Sequence, residues 1–206
     1  MKNFARIISI IFHPLPAITY TVAGALLCTY MAMYPLNVKL LLLGTTFLWS
    51  MLIPGLFILL LKNRKIISDL DVSKRKERVI PYLSYLISAG VGVYILYRMQ
   101  IPFWLLSILT SSLIAIAIAA CINIFWKISV HCIAIGGLLG GLMGISYIYS
   151  INPFWGFIAG FLIAGLVGTA RVELRRHTLG QVFAGFALGF ACTFVSSSLS
   201  FIYLFI

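Results

Sequence analysis

The chain has 206 residues, of which 62% are apolar and 9% are charged, and its formal net charge is +11. A soluble domain carries about a quarter of its residues as charges, so this composition and the mean hydropathy of +1.10 exclude a soluble globular protein. The length fits one domain, residues 1–206, which we predict to be all-α: a polytopic transmembrane helical bundle.

Seven apolar stretches approach or exceed the roughly 20 residues that cross a bilayer as a helix. We therefore expect six to seven spans, at about 14–34, 38–61, 80–98, 102–126, 130–149, 153–170 and 182–206. A short amphipathic segment, residues 2–12, precedes them and is expected to stop at His13 and Pro14. His13 itself is interpreted as an interfacial residue without a chemical role.

The basic residues are unevenly distributed between the two sides of the predicted bundle. With seven spans, only Lys39 and Arg98 fall on one side. The basic clusters at 62–78, at Lys127 and at 171–176 are separated by even numbers of spans, so all three return to the other side, which we call the basic face. The positive-inside rule accounts for such a bias and favours a cytoplasmic basic face in a bacterial inner membrane.

Small residues recur at every fourth position in the C-terminal third of the chain. Such stripes let helix backbones approach closely in lipid, where close packing replaces the hydrophobic effect. We expect the last three helices to pack through Gly136, Gly140 and Gly144, through Gly156, Gly160, Ala164 and Gly168, and through Gln181, Gly185 and Gly189.

Two polar patterns interrupt the apolar background on the basic face. The first, Lys-Ile-Ser-Val-His at 127–131, enters the fifth predicted span. The second, at 171–181, has Arg, His and Gln in the spacing Arg, five residues, His, three residues, Gln, and enters the seventh. Ionisable side chains at the ends of apolar spans are costly and indicate a functional site.

These patterns resemble the type 2 phosphatidic acid phosphatase superfamily, membrane enzymes that remove phosphate from lipids. The family's third motif is Ser-Arg, five residues, His, three residues, Asp; it coincides here with Arg171 and His177, and Gln181 replaces the Asp. The second motif, Pro-Ser-Gly-His, coincides at Ser129 and His131. The resemblance implies a hydrolase that acts on lipid phosphate monoesters or pyrophosphates through a phosphohistidine, without a metal or other cofactor.

The family's first motif, Lys, six residues, Arg-Pro, is matched only loosely. Arg75, Arg78 and Pro81 lie in the corresponding region, with Arg78 preferred because Pro81 follows it closely. Asp71 stands seven residues before Arg78, where the family has its Lys.

The same residue types suit phosphate chemistry on physical grounds. Attack on a phosphate ester needs a nucleophile, an acid for the leaving oxygen, and fixed positive charge around the other oxygens. His177 can supply a neutral ring nitrogen as the nucleophile, and His131 can protonate the leaving oxygen. The remaining candidates would bind the phosphate: Arg171, Arg78, Arg75, Ser129 and Lys127.

Gln181 is the third predicted catalytic residue. If 177–181 is helical, His177 and Gln181 share a face, and the amide oxygen can accept the proton on the far ring nitrogen. The amide cannot supply the charge of the Asp that the family has at this position, so a non-catalytic binder or transporter of phosphorylated lipids is the alternative function.

The sequence also bears on the cofactors and partners of the protein. No metal site, cofactor or nucleic-acid partner is expected; the expected partners are the bilayer and a phosphorylated lipid. The sequence does not identify that lipid, and it does not determine the oligomeric state.

Overall fold

The structure is a computed structural model that describes the backbone of residues 2–203 and the side chains of residues 2–200. The residues that it describes form helices and connecting loops and contain no strand. The α-helices are α1 Lys2–Ile11, α2 Ala17–Cys28, α3 Leu36–Phe47, α4 Ile53–Asn63, α5 Val79–Arg98, α6 Phe103–Ile122, α7 Val130–Tyr149, α8 Phe154–Glu173 and α9 Leu179–Tyr203.

The predicted all-α transmembrane bundle is confirmed. Within the described residues, six helical segments are long and apolar enough to cross a membrane: Leu36–Asn63, Arg75–Arg98, Phe103–Ile122, Val130–Tyr149, Phe154–Glu173 and Leu179–Ser200. The chain is therefore an integral membrane protein. Pro102 and Pro153 directly precede α6 and α8, where the missing proline N–H is not needed.

The first predicted span, 14–34, is wrong as a continuous helix. The helix α2 has 12 residues, which makes it about 18 Å long, against a hydrocarbon layer of about 30 Å. It ends at Thr29, whose backbone is extended and whose hydroxyl accepts the N–H of Met31 to start a 3-10 turn at Tyr30–Met33. Hydropathy measures only how apolar a stretch is, whereas the Thr29 side chain offers the backbone an alternative to the helix.

The second predicted span is one continuous helical segment, Leu36–Asn63, made of two α-helices. The helices α3 and α4 are joined by a π-helical turn at Leu48–Leu52. Pro54 follows this turn, and because proline has no N–H it cannot donate to the carbonyl of Ser50, so the regular helical ladder is interrupted there.

The closest helix contact is between α7 and α9, as the glycine stripes predict. A methyl group added at Gly185 would lie 2.6 Å from the backbone oxygen of Ser129, and one added at Gly189 would overlap the backbone oxygen of Ile133. Gly136 and Gly140 face the backbone oxygens of Phe186 and Phe190 in the same way. The two backbones are therefore in direct contact, which fixes the start of α7 against the start of α9.

The amphipathic helix α1 packs against α8 rather than lying apart from the bundle. Its buried residues are Ala5, Ile8 and Ser9, which share one face at helical spacing. The apolar part of this face joins a cluster with Val167, Ala170 and Val182 of α8 and α9. This docking places Ser9 beside the basic face of the bundle.

The backbone contact predicts that α7–α9 packing is intolerant of added volume. Gly189→Ala should lower the stability of the protein by about 1–3 kcal/mol, since the new methyl group has no space. The matched control is Gly165→Ala on α8, where an added methyl group meets nothing within 4 Å, and it should be neutral or slightly stabilising. Thermal unfolding of the detergent-solubilised variants measures the difference, and equal stability of the two variants would contradict this packing.

Candidate functional site

The three basic clusters meet at one end of the bundle. Nη1 of Arg78 donates to the backbone oxygen of Ile128 at 2.8 Å, and Nζ of Lys127 donates to the backbone oxygen of Arg176. Nη1 of Arg176 lies 3.9 Å from the carboxylate of Asp69. Residues separated by about 50 to 100 positions in the sequence are thus joined by direct contacts, as the parity of the spans predicts.

His177 lies in the loop between α8 and α9, with its ring orientation fixed by Gln181. The Gln181 side-chain oxygen accepts the backbone N–H of Thr178 at 3.3 Å, and the Thr178 hydroxyl accepts the N–H of Gln181 at 3.4 Å. These reciprocal bonds form a capping box at the start of α9. The same Gln181 oxygen lies 3.0 Å from Nδ1 of His177.

The capping box determines the tautomer of His177. A backbone N–H can only donate, so the atom of Gln181 that faces Thr178 must be the oxygen, and Nδ1 of His177 must carry the proton that this oxygen accepts. Nε2 therefore has the free lone pair. The predicted contact between His177 and Gln181 is present, and its catalytic role stays a prediction.

Arg78 directs one nitrogen at this lone pair. Its guanidinium is buried and held by two backbone oxygens, those of Val72 at 2.9 Å and Ile128 at 2.8 Å. The third nitrogen, Nη2, lies 3.5 Å from Nε2 of His177. Arg78 is thus fixed by the neighbouring loops and presents a single N–H edge to the site.

Arg171 is the most deeply buried charge of the site, with 1% of its surface exposed. Nη1 donates to the hydroxyl of Ser9 at 3.3 Å and lies 3.5 Å from the carboxylate of Asp71. Its Nε is buried without a hydrogen-bond partner among the described residues. A buried donor without a partner costs about 1–3 kcal/mol, so this nitrogen has an unmet need for an acceptor.

His131 faces the site from the first turn of α7. Its Nε2 lies 3.2 Å from the backbone oxygen of Ser9. A carbonyl oxygen only accepts, so Nε2 carries a proton and Nδ1 is the ring nitrogen available for proton transfer. The ring of His13 packs edge-on against the His131 ring, with 5.3 Å between centroids.

The structure divides the predicted site residues into two groups. Arg78, His131, Arg171 and His177 line one cavity of about 140 Å³. The other four candidates, which do not line this cavity, are Arg75, Lys127, Ser129 and Gln181.

These four residues make structural contacts around the cavity. Arg75 is half-buried and donates to the backbone oxygen of Ile124 at 3.0 Å. Ser129 is buried and donates to the sulfur of Cys132 at 3.2 Å. The predicted roles of Arg75 and Ser129 in binding phosphate thus require a movement of their side chains. Lys127 bonds to a backbone oxygen but is close enough to influence His177 electrostatically.

Sequence reasoning missed three residues of the site: Ser9, His13 and Asp71. His13, interpreted as interfacial, lines the cavity against His131. Asp71 pairs with Arg171 across 100 positions in the sequence. The signals in the sequence were the amphipathic pattern of residues 2–12, which predicts that one face of α1 docks on the bundle, and the position of Asp71 seven residues before Arg78.

The electrostatic environment of the site is strongly positive. Burial, together with the charges of Arg78, Lys127 and Arg171, lowers the pKa of His177 to about 3. Burial and the neighbouring arginines lower the pKa of Lys127 to about 8. At neutral pH the His177 ring is therefore uncharged, and an anion in the cavity would be stabilised by the surrounding cations.

The low pKa of His177 predicts a pH dependence of stability. Between pH 6.5 and about 3 the unfolded chain binds a proton that folded His177 does not, so stability is lost as the pH falls through this window. At pH 5 this loss is at most about 2 kcal/mol. His177→Gln should remove that part of the loss, measured as thermal unfolding of both proteins from pH 4.5 to 7.5. An identical pH dependence in the two proteins would contradict a buried, neutral His177.

Comparisons with known proteins add no assignment. No protein-family model matches the chain, and no curated protein or solved structure is significantly similar to it. Since a fold alone does not determine an activity, the function has to be argued from the chemistry of the site.

Proposed function

We propose that the protein is a metal-independent lipid phosphate phosphatase that works through a phosphohistidine on His177. The observation that carries the proposal is an uncharged imidazole with an unprotonated Nε2, close to buried cations in a cavity at the basic end of the bundle. A phosphate that takes over the N–H of Arg78 would leave the Nε2 lone pair available for attack. Such an arrangement suits a nucleophile that must approach an anionic phosphorus centre without carrying its own charge.

One unused donor and one weakly engaged donor support phosphate binding. Nε of Arg171 has no partner among the described residues, and Nη2 of Arg78 makes only a long contact, 3.5 Å, with Nε2 of His177. Phosphate oxygens would satisfy both, and planar guanidinium groups match their geometry. Both arginines are held by other contacts before the ligand arrives, so little reorganisation accompanies binding.

The first chemical step transfers the phosphoryl group to the protein. Nε2 of His177 attacks phosphorus, the bond from phosphorus to the lipid oxygen breaks, and its electron pair leaves with that oxygen. The bound phosphate offsets the surrounding cations, so that the His131 ring can carry a second proton on Nδ1 while its Nε2 donates to the Ser9 backbone oxygen. The leaving oxygen takes that proton from Nδ1. The Gln181 oxygen keeps the proton on Nδ1 of His177, so Nε2 is the nitrogen that reacts.

The second step releases phosphate. Water attacks the phosphorus of the phosphohistidine and gives a proton to His131, which restores the acid. The bond between phosphorus and Nε2 breaks, and His177 regains its lone pair. Arg78 and Arg171 stabilise the charge on the phosphoryl oxygens in both steps.

The alternative, a non-catalytic binder or transporter of phosphorylated lipids, is favoured by Asp71. Where the resembled family has a Lys, this chain has a carboxylate that pairs with Arg171 at 3.5 Å. A phosphate entering the cavity competes with that carboxylate for the same guanidinium, which lowers affinity. The two functions differ in turnover, which only the phosphatase shows.

We further propose that the site faces the cytoplasm of a bacterial inner membrane. The basis is the excess of Lys and Arg on the basic face, which the positive-inside rule associates with the cytoplasmic side.

The mechanism predicts which histidine is indispensable. His177→Ala should abolish phosphate release from lipid phosphates, and His131→Ala should slow it by about 10²–10⁴, the usual contribution of a general acid. Activity should survive chelators. The measurement is the inorganic phosphate that the purified protein releases from a panel of lipid phosphates. Ala117→Phe, a substitution at an exposed position outside the site, is the control for folding. Full activity of His177→Ala, or a strict requirement for a divalent ion, would defeat the mechanism.

Gln181 gives a second prediction, which separates orientation from charge. Gln181→Leu should lower turnover tenfold or more, because Nδ1 of His177 loses its acceptor and the wrong tautomer becomes accessible. Gln181→Asp should preserve or raise turnover, since a carboxylate also accepts this proton and stabilises the imidazolium. Phosphate release by the unaltered protein and the two variants measures this difference. Because Gln181 also caps α9, the three proteins are compared under conditions in which all of them are folded. Normal turnover of Gln181→Leu would show that the orienting role is wrong.

A further inference from the structure

The cavity at the site continues from the polar cluster into the membrane-spanning part of the bundle. Its deepest lining residue on α6 is Ile108, 14 positions before the helix ends at Ile122 on the basic face. On α9 the lining reaches Thr193, 14 positions after the helix begins at Leu179. At 1.5 Å per residue both helices give a depth of about 21 Å, which is more than half of a hydrocarbon layer of about 30 Å.

The deep part of the cavity is apolar. Apart from glycine, its walls on α6 and α7 are formed mainly by Ile108, Leu109, Ile116 and Ala134. The hydroxyl of Ser112 donates to the backbone oxygen of Leu109 at 2.6 Å, and that of Thr193 donates to the backbone oxygen of Gly189 at 2.7 Å. These walls suit a hydrocarbon better than an ion or a sugar, which would need free polar partners. The buried hydroxyl of Tyr82, which also lines the cavity and has no partner among the described residues, belongs to the first turn of α5, near Arg78.

The cavity is also narrow. Its volume is about 140 Å³, and an engineered protein cavity of about 150 Å³ holds one benzene molecule. This volume leaves no room for two hydrocarbon chains side by side, and a single chain that follows the full depth fits only when the side chains lining the cavity move apart.

We propose that this cavity binds the hydrocarbon chain of the substrate, so that the substrates are phosphates of lipids with a single chain. The inference rests on the proposed phosphatase function and narrows its substrate class. The phosphate lies among Arg78, Arg171 and His177, and the chain extends between α2, α5, α6, α7 and α9. A lipid with two chains joined near the phosphate would have to place the second chain outside the cavity, across the helices that enclose it.

The first test compares substrates on the unaltered protein in detergent micelles. Hexadecyl phosphate should be hydrolysed with a kcat/KM at least tenfold above that of a dihexadecyl glycerol phosphate with ether-linked chains. Equal or better hydrolysis of the two-chain lipid would overturn the inference while leaving the phosphatase function intact.

The second test uses variants that fill the cavity at its deep end. Ile108→Trp should lower the ratio of hexadecyl phosphate to butyl phosphate turnover at least tenfold, because the short chain ends above the obstruction. Ala117→Phe is the control, since Ala117 is exposed to lipid on the same helix and does not line the cavity. An unchanged ratio in folded Ile108→Trp would overturn the inference.

A binding measurement keeps the inference separate from turnover. A hexadecyl phosphonate with a diazirine at the end of its chain cannot be hydrolysed and labels whatever its chain contacts. Adducts at residues 108–116 of α6 and 189–193 of α9 support the chain site even if no phosphate is released from any lipid, in which case the phosphatase function alone fails. Adducts confined to the lipid-exposed surface overturn the chain site.

Discussion

The buried guanidinium of Arg171 organises the basic end of this bundle. A charge removed from water costs several kcal/mol unless it is paired and hydrogen-bonded, and Arg171 is 1% exposed. Ser9 from α1 and Asp71 from the loop before α5 both reach its Nη1. Because those two partners come from separate parts of the chain, the same compensation fixes α1 and that loop against α8. Nε of Arg171 still lacks a hydrogen-bond acceptor among the described residues, and a bound anion would supply one.

The consequence for the chemistry is that the His177 ring is neutral, because three nearby cations disfavour its protonation. Its low pKa comes from burial and from Arg78, Lys127 and Arg171. A bound phosphate would offset these cations, so the ring would become easier to protonate or phosphorylate only when the ligand is present. Gln181 fits this setting, since its oxygen fixes the tautomer of His177 without adding a negative charge, which would raise the low resting pKa of the ring.

The sequence predicted what depends on local pattern. Apolar length predicted the spans, glycine spacing predicted the α7–α9 contact, and the i, i+4 spacing predicted the pair of His177 and Gln181. These follow from helix geometry, which repeats within a few residues. The error at 14–34 arose because one hydroxyl, that of Thr29, ended a helix that hydropathy alone would continue.

The contacts that sequence reasoning missed are those that join distant segments. Ser9 and His131 are 122 positions apart, and Asp71 and Arg171 are 100 apart. Nothing local to α1 indicates that its backbone meets a histidine of α7, because that contact depends on how α1 docks on α8. Likewise, the loose match around Arg75 and Arg78 could not be resolved from spacing; burial and the backbone contacts of Arg78 distinguish the two.

The central claim is that Nε2 of His177 becomes covalently phosphorylated. The most direct measurement is rapid alkaline denaturation of the protein during turnover of a phosphorus-labelled lipid phosphate, followed by mass spectrometry of the peptide that contains residue 177. The account predicts an acid-labile, base-stable phosphoryl group on His177 that forms within the turnover time and disappears when substrate is exhausted. Turnover without any phosphorylated His177, or a phosphoryl group on a different residue, would contradict it.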